Sequence, residues 1–323
     1  MLIHICGQTI LRPNYASVLR KSQLTVSPII LKGKFLFLVA VLLLPHFVSA
    51  GTFRLGSITT SPVDETKKFS PLATYLAQQL KSQGVDQGKV IVAETIPAMA
   101  ALLRTRQVDL YLDSLFPSFA VSQLSGSKFL LRRWKLGNGE YRSVIFTRKD
   151  SGIARLEDLK GKVLAFEEPF SSSGYFFPKV DLLKIKLRLV PKEQGSEAAK
   201  SDDVRYIFSH GDTNTFFLVL NGAVAAGAID EDKYLMLAKN VEGFKILHQT
   251  IPLPRQIVSY RADLPVTLVT RIKQILLTMP RSEEGAKILR DFQSTTKFDE
   301  VPPQAIELMK GLKKYVDAEL KLQ

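Results

Sequence analysis

Residues 162–178 read KVLAFEEPFSSSGYFFP, and their order sets the class of fold. The apolar run ending at Phe166 is a strand of the buried type. Two acids, a proline, three hydroxyls and Gly174 then break it, and a helix is expected from about Tyr175. Strand, polar turn and helix in that order are the unit of an α/β sheet. A helix start presents free N–H groups and the positive end of its dipole, which favours an anion. Ser171, Ser172 and Ser173 would add hydroxyl donors there, although the same residues also read as one cap and two loop serines.

The same unit repeats on both sides of this stretch. Upstream, strands are expected at Phe53–Ile58, Lys89–Ala93 and Val108–Leu112, with helices at Pro71–Lys81 and Pro97–Arg106 between them and a polar loop over Thr59–Lys68. A second series begins near Arg142. It has strands at Ser143–Thr147, Lys162–Phe166, Arg205–Phe208 and Ala225–Ile229, a short helix at Leu156–Leu159 and another helix at Thr213–Leu220. Residues 191–203 read as an exposed loop. After Leu253 come a strand near Ile257–Arg261 and three helices, roughly 265–279, 283–294 and 303–320. The expected fold is α/β with two lobes, each a mixed sheet flanked by helices. Lobe one takes residues 51–141 plus 253–323 and lobe two residues 142–252, with hinge crossings near Tyr141–Ser143 and Pro252–Gln256.

Residues 32–50, KGKFLFLVAVLLLPHFVSA, have the three parts of a cleaved secretory signal. Lys32 and Lys34 precede an apolar run from Phe35 to Leu44, and Val48 and Ala50 sit at −3 and −1 of a cut before Gly51. The run falls short of the ~20 residues of a spanning helix. Residues 1–50 are therefore assigned to an N-terminal extension and signal peptide, with no Cys at the cut to carry a lipid anchor. The implied compartment is the periplasm.

The chain of 323 residues carries a formal charge of +13. Residues 1–50 hold five of the basic residues and no acid, so the part from Gly51 has a net charge of +8. Its basic residues are scattered, without the aromatic interleaving of a nucleic-acid groove. Cys6 is the single cysteine, and only His210 and His248 lie beyond the signal. Cysteine-ligated zinc and histidine-cluster metal sites are thus not expected, and no cofactor is implied. Ser172, His210 and Asp230 occur in an order that suggests a hydrolase, but neither Ser171 nor Ser172 has a Gly-x-Ser-x-Gly setting. We read the chain as a non-enzyme.

Residues 139–178, GEYRSVIFTRKDSGIARLEDLKGKVLAFEEPFSSSGYFFP, resemble the substrate-binding proteins of phosphate, phosphite and phosphonate ABC importers. Phe69–Leu76 is similar to that family's first helix, Gln107–Leu110 to its following strand, and Asn221-Gly222 with Ala226–Asp230 to the last strand of its second lobe. The resemblance implies a periplasmic type II solute-binding protein that closes on a small oxyanion and delivers it to a permease in the inner membrane, acting as a monomer. It implies ligand contacts from Ser171, Ser172 and Ser173, with Tyr141 nearby and Asp230 at the far strand end. Alternatives are a sensor that docks on a membrane signalling protein, or a carrier of a different small solute.

Two departures from the family pattern bear on the ligand. The family often has a ligand-contacting His where this chain has Asp212, with His210 displaced by two residues. Asp212 could face a protonated oxyanion or an amine, or simply cap the next helix. The family also often places a Tyr at the turn that here reads Glu94–Pro97. Lobe-one candidates are instead Asp113 and Ser114 at the end of one strand and Thr60 after another, because strand C-terminal ends are where open α/β sheets bind ligands. Asp113 reads equally as a helix cap.

Overall fold

Eight-residue strand β1 (Gly51–Ile58) sits inside a sheet that the chain leaves and re-enters. The computed structural model describes residues 51–192 and 200–322; the signal segment and part of the expected 191–203 loop lie outside them. After β1 come α1 (Pro62–Gln79), β2 (Val85–Ala93), α2 (Ile96–Arg104), β3 (Leu110–Asp113), α3 (Leu115–Ser125) and β4 (Lys128–Lys135). The short β5 (Glu140–Tyr141) precedes β6 (Ser143–Arg148), β7 (Val163–Phe166), α4 (Phe177–Lys184), β8 (Leu189–Pro191), β9 (Val204–Phe208), α5 (Asp212–Leu220), β10 (Ala226–Asp230), α6 (Glu231–Ala238) and β11 (Phe244–Gln249). The remainder is β12 (Leu253–Pro254), β13 (Ile257–Tyr260), α7 (Val266–Thr278), α8 (Glu283–Asp291), β14 (Thr295–Asp299), α9 (Pro303–Gly311) and α10 (Lys313–Leu320).

The first sheet has the order β14-β4-β13-β3-β1-β2, and the second β11-β6-β10-β7-β9-β8. Both are mixed. In the first, β1 runs parallel to β2 and β3 while β13 is antiparallel to β3 and β4. In the second, β7 is parallel to β9 and β10, and β6 is antiparallel to β10. Between the sheets, β5 pairs with β12 through Leu253 opposite Tyr141. Each sheet has apolar clusters on both faces, as a sheet covered by helices on both sides requires.

Three differences from the sequence reading affect the cleft. The expected loop 59–68 is helical, because α1 starts at Pro62, whose missing N–H is harmless in a first turn. Asp64 and Glu65 favour that helix end, and Ser57 of β1 donates to Glu65 at 2.7 Å. Pro71, expected at a helix start, lies inside α1. Second, residues 115–139 yield a helix and the strand β4, which the periodicity hides because four of its eight residues are Lys or Arg. Third, the helix expected over 283–294 stops at Asp291. Gln293 and Ser294 both take left-handed backbone, with φ of 52° and 54°, and the chain turns into the edge strand β14. The expected 303–320 helix divides at Leu312.

The serine-bearing stretch joins the two sheets. Residues Ser172–Phe176 form one π-helical turn that runs directly into α4. Phe176 stacks on Phe116 of α3, with ring centres 4.1 Å apart and planes 2° apart. The Phe116 N–H donates to Ser172 Oγ at 2.8 Å. Phe176, Phe177 and Val180 are buried with Met309, Leu312 and Val316 of the C-terminal helices. Further along, Lys179 meets Glu319 of α10 at 2.7 Å, and the Tyr175 hydroxyl donates to the same carboxylate at 2.6 Å. Ser172 is 1% exposed, so removing its oxygen strands the Phe116 N–H. Ser172→Ala is expected to lower unfolding stability by ~1–3 kcal/mol, read from urea denaturation; a loss below ~0.5 kcal/mol would show that this bond does not hold the joint.

Candidate functional site

A cavity of about 480 Å³ opens between the two sheets. The first sheet and its helices supply Lys68 from α1, Asp113 and Ser114 after β3, Lys135 at the end of β4, and Gln256 and Gln293. The second supplies Glu167 and Glu168 after β7, Ser171 and Ser173 of the π turn, Asp212 at the start of α5, and Asp230 and Lys233 around the start of α6. Tyr141 stands where β5 crosses between them. Most of these groups lie at strand C-terminal ends, where backbone geometry leaves a crevice.

Seven of the ten residues singled out from sequence line this cavity: Ser171, Ser173, Tyr141, Asp113, Ser114, Asp212 and Asp230. Their hydrogen bonds differ from a ready oxyanion cradle. Ser171 Oγ donates to Glu167 at 2.7 Å and caps the Gly174 N–H at 2.9 Å. The Ser173 carbonyl accepts from Ser143 Oγ at 2.5 Å. Ser172 is outside the lining, because its oxygen serves the joint with Phe116. Thr60 and His210 are also outside it; both bond Glu168, at 2.6 Å and 3.2 Å, from opposite sheets. His210 borders a separate cavity beside Tyr206 and Phe208.

The capping alternatives also resolve. Asp212 is the first residue of α5 rather than its cap, which is Gly211, and its Oδ1 is buried without a hydrogen-bond partner. Asp230 does cap α6, accepting from the Asp232 and Lys233 N–H groups. It also takes Arg255 at 3.2 Å, and Asp232 binds the same guanidinium. Arg255 is 1% exposed and lies 4.5 Å from the centre of the Tyr141 ring. Asp113 accepts from Tyr111 Oη at 2.9 Å and from the Ser114 N–H at 2.7 Å.

Sequence reasoning missed Lys68, Lys135, Glu167, Glu168, Lys233, Gln256 and Gln293. Glu167 and Glu168 stood in the quoted motif, and their position just past a buried strand end was the available signal. Lys135 had none, since its strand went unrecognised. Two positions before it on β4, Arg133 is fully buried. It donates to Gln293 Oε1 at 3.1 Å, while its Nε and Nη2 have no partner. Burial, with Arg255 nearby, lowers its pKa to about 9.

The carboxylates are held against ionisation. Burial raises Asp113 to about 7 despite its bonds from Ser114 and Tyr111. Burial and the neighbouring Asp230 raise Asp212 to about 6, and burial with Asp212 pushes Glu167 well above the usual carboxylate range. A carboxyl whose folded pKa lies above its unfolded value binds more protons when folded. Its contribution is therefore favourable at low pH and is lost as pH rises from about 4 through 7. The carboxylates lowered by their partners act below that range. The ligand-free protein is thus expected to melt at a higher temperature at pH 5 than at pH 7.5, and Asp113→Asn to flatten part of that slope. A calorimetric melting temperature that is level or rises over this interval would contradict the assignment.

Comparison with known proteins agrees with this architecture. Residues 57–305 match the family model described as ABC transporter, phosphonate, periplasmic substrate-binding protein. The fold is shared with XAC2383 from Xanthomonas citri, solved with chloride and with ATP, at 23% identity and a TM-score of 0.76, over 84% of this chain and 99% of that one. It is shared too with PhnD1 from Prochlorococcus marinus in complex with methylphosphonate, at 18% identity and a TM-score of 0.64, over 82% and 98% of the two chains. A binding-protein component of an ABC phosphonate transporter from Pseudomonas aeruginosa aligns at 17% identity and a TM-score of 0.65, over 84% and 88%. The two mixed sheets thus form a type II periplasmic binding-protein fold, and the chain belongs to the phosphonate-binding family of periplasmic substrate-binding proteins of ABC transporters, a family of carriers rather than enzymes.

Proposed function

We propose that this protein captures a small solute bearing a phosphate-, phosphite- or phosphonate-like oxyanion in the cleft between its sheets and delivers it to an ABC permease in the inner membrane. The observation that carries this reading is the polar cavity of about 480 Å³ at the strand ends, into which both sheets project charged side chains. A cavity of that volume is in the range of small-molecule sites. Lys68 and Lys135 supply positive charge, and Ser171, Ser173 and Ser114 supply hydroxyls. Lobe one is residues 51–141 with 253–323, lobe two residues 142–252, and the β5–β12 ladder marks the crossing between them. Closure about such crossings is an ordinary switching mode. Shifting an open–closed balance from 1:99 to 99:1 takes ~5.5 kcal/mol of differential binding, less than the ~8 kcal/mol of a micromolar complex. Residues 32–50 direct export to the periplasm, where the protein acts as a monomer.

The test is a thermal-shift panel with phosphate, phosphite, methylphosphonate, aminoethylphosphonate, sulfate and organosulfonates. A ligand at 100 times its dissociation constant is expected to stabilise by ~2.7 kcal/mol. A shift with a phosphorus oxyanion and none with sulfate supports the reading; no shift with any phosphorus compound overturns it.

A further inference from the structure

Glu168 borders the cleft, yet both of its carboxylate oxygens are engaged within the protein. Oε1 accepts from Thr60 Oγ1 of the first sheet at 2.6 Å, and Oε2 meets His210 Nδ1 of its own sheet at 3.2 Å. Glu168 is only 6% exposed, and a buried carboxylate oxygen that loses its donor is destabilising. Holding a solute gives no reason for Thr60 and His210, both outside the cavity lining, to converge on this acid.

Each member of the trio is fixed by its own backbone. The Glu168 carbonyl accepts from the Ser171 N–H at 2.9 Å, and the His210 N–H donates to the Glu167 carbonyl at 2.9 Å. His210 takes left-handed backbone, with φ of 59°, a strained conformation for a residue with a side chain. On the first sheet, the Thr59 N–H donates to the Ala93 carbonyl at 2.9 Å, and the Ser61 N–H to Thr59 Oγ1 at 2.9 Å. Thr60 stands exposed between those two anchors.

The pair lies away from the crossing between the sheets. In the second sheet β7 is two strands from β6, and in the first β1 is two strands from β13. Strands β6 and β13 are the ones that follow the paired β5 and β12. At ~4.8 Å per strand, Thr60 and Glu168 are roughly 10 Å out from the pivot. A rigid-body turn of about 15° would part them by roughly 2–3 Å. That is enough to break their hydrogen bond. The bond between Ser172 and Phe116 sits closer in, since α3 follows β3, the direct neighbour of β13.

From this geometry we infer that Glu168 is a positioning residue for closure, held by His210 and engaged by Thr60 only when the two lobes shut. The contact stabilises the closed form and is absent from the open one, where Oε1 returns to water. It raises affinity by enlarging the closed population, without touching the solute. The inference rests on the reading of the protein as a two-lobed carrier that closes, and it holds for any solute of the cleft.

The experiment is a pulsed electron–electron distance measurement between the lobes. Residues 51–323 contain no cysteine, so in the exported protein spin labels at Gln78→Cys and Lys160→Cys, both exposed, report the lobes alone. Distances are read without ligand and with methylphosphonate. Thr60→Val is expected to lower the closed-to-open ratio about tenfold, the low end for a hydrogen bond to a charged group, and Thr60→Ser to restore it. His210→Ala should move the ratio in the same direction, and in a Glu168→Ala background Thr60→Val should have no effect. If Glu168→Ala fails to fold, Thr60→Val against Thr60→Ser decides, since Thr60 lies outside the core. An unchanged ratio in Thr60→Val, or a lowered melting temperature with no change in ratio, overturns the inference. An unchanged ratio in His210→Ala removes the holding role. A ratio that moves with Thr60→Val but not with methylphosphonate keeps the contact and counts against the phosphonate reading. Closure by methylphosphonate that is equal in parent and variant does the reverse.

Discussion

The structure turns on one helix that belongs to the second sheet by sequence and to the first by packing. Phe176 lies flat on Phe116, and the turn that carries it gives Ser172 Oγ to the Phe116 N–H. An aromatic stack of this kind adds about 0.5–1.5 kcal/mol beyond the area it buries, and the shared hydrogen bond fixes its register. The same helix reaches the C-terminal helices through Val180 and through Lys179, whose ammonium is buried with Glu319 and the Tyr175 hydroxyl. A buried ion pair is weak evidence for stability but strong evidence against slippage, since separating it would leave a charge without water or partner. The two sheets are thus tied through α4 and the turn before it.

That joint explains the chemistry of the cleft. A serine-rich helix start is an attractive place for an anion, but two of the three hydroxyls here already have partners inside the protein, Ser171 on Glu167 and Ser172 on the Phe116 N–H. The turn is π-helical, which brings Ser171 back onto Glu167 and leaves Ser172 to the joint. The charged groups around the cavity come from elsewhere: lysines from α1 and β4, and carboxylates that follow β7 or open α5 and α6. Burial keeps several of those carboxyls partly protonated near neutral pH.

The hydrogen-bond geometry around Arg133 fits the same picture from the other wall. Its strand lies between β13 and β14, antiparallel to both, and the side chain is fully buried. Gln293, which accepts its one side-chain bond, lies in the left-handed pair that ends α8. Two non-glycine residues in that region hold a conformation costing about 1–3 kcal/mol each. The backbone therefore bends against its preference where it delivers an acceptor to a buried guanidinium at the cleft.

Local pattern was enough for the α/β class and most strands of the second series, because alternation of buried strands and amphipathic helices is written in consecutive residues. The motif from Glu167 to Pro178 was enough to point to the family. Lys68 was lost because a polar segment that looks like a loop becomes helical once Glu65 is bonded by β1. Lys135 and Arg133 were lost because a strand half composed of basic residues carries no hydrophobic period. The roles of Ser172 and Thr60 depend on residues of the other sheet, Phe116 and Glu168, and those of Asp212 and His210 on Asp230 and Glu168, which only the folded sheet brings close. Sequence by itself determined the α/β alternation and the family it points to. Only the tertiary structure decided which polar atoms remain unpaired at the cleft, since pairing is set by distances between segments that the chain order does not contain.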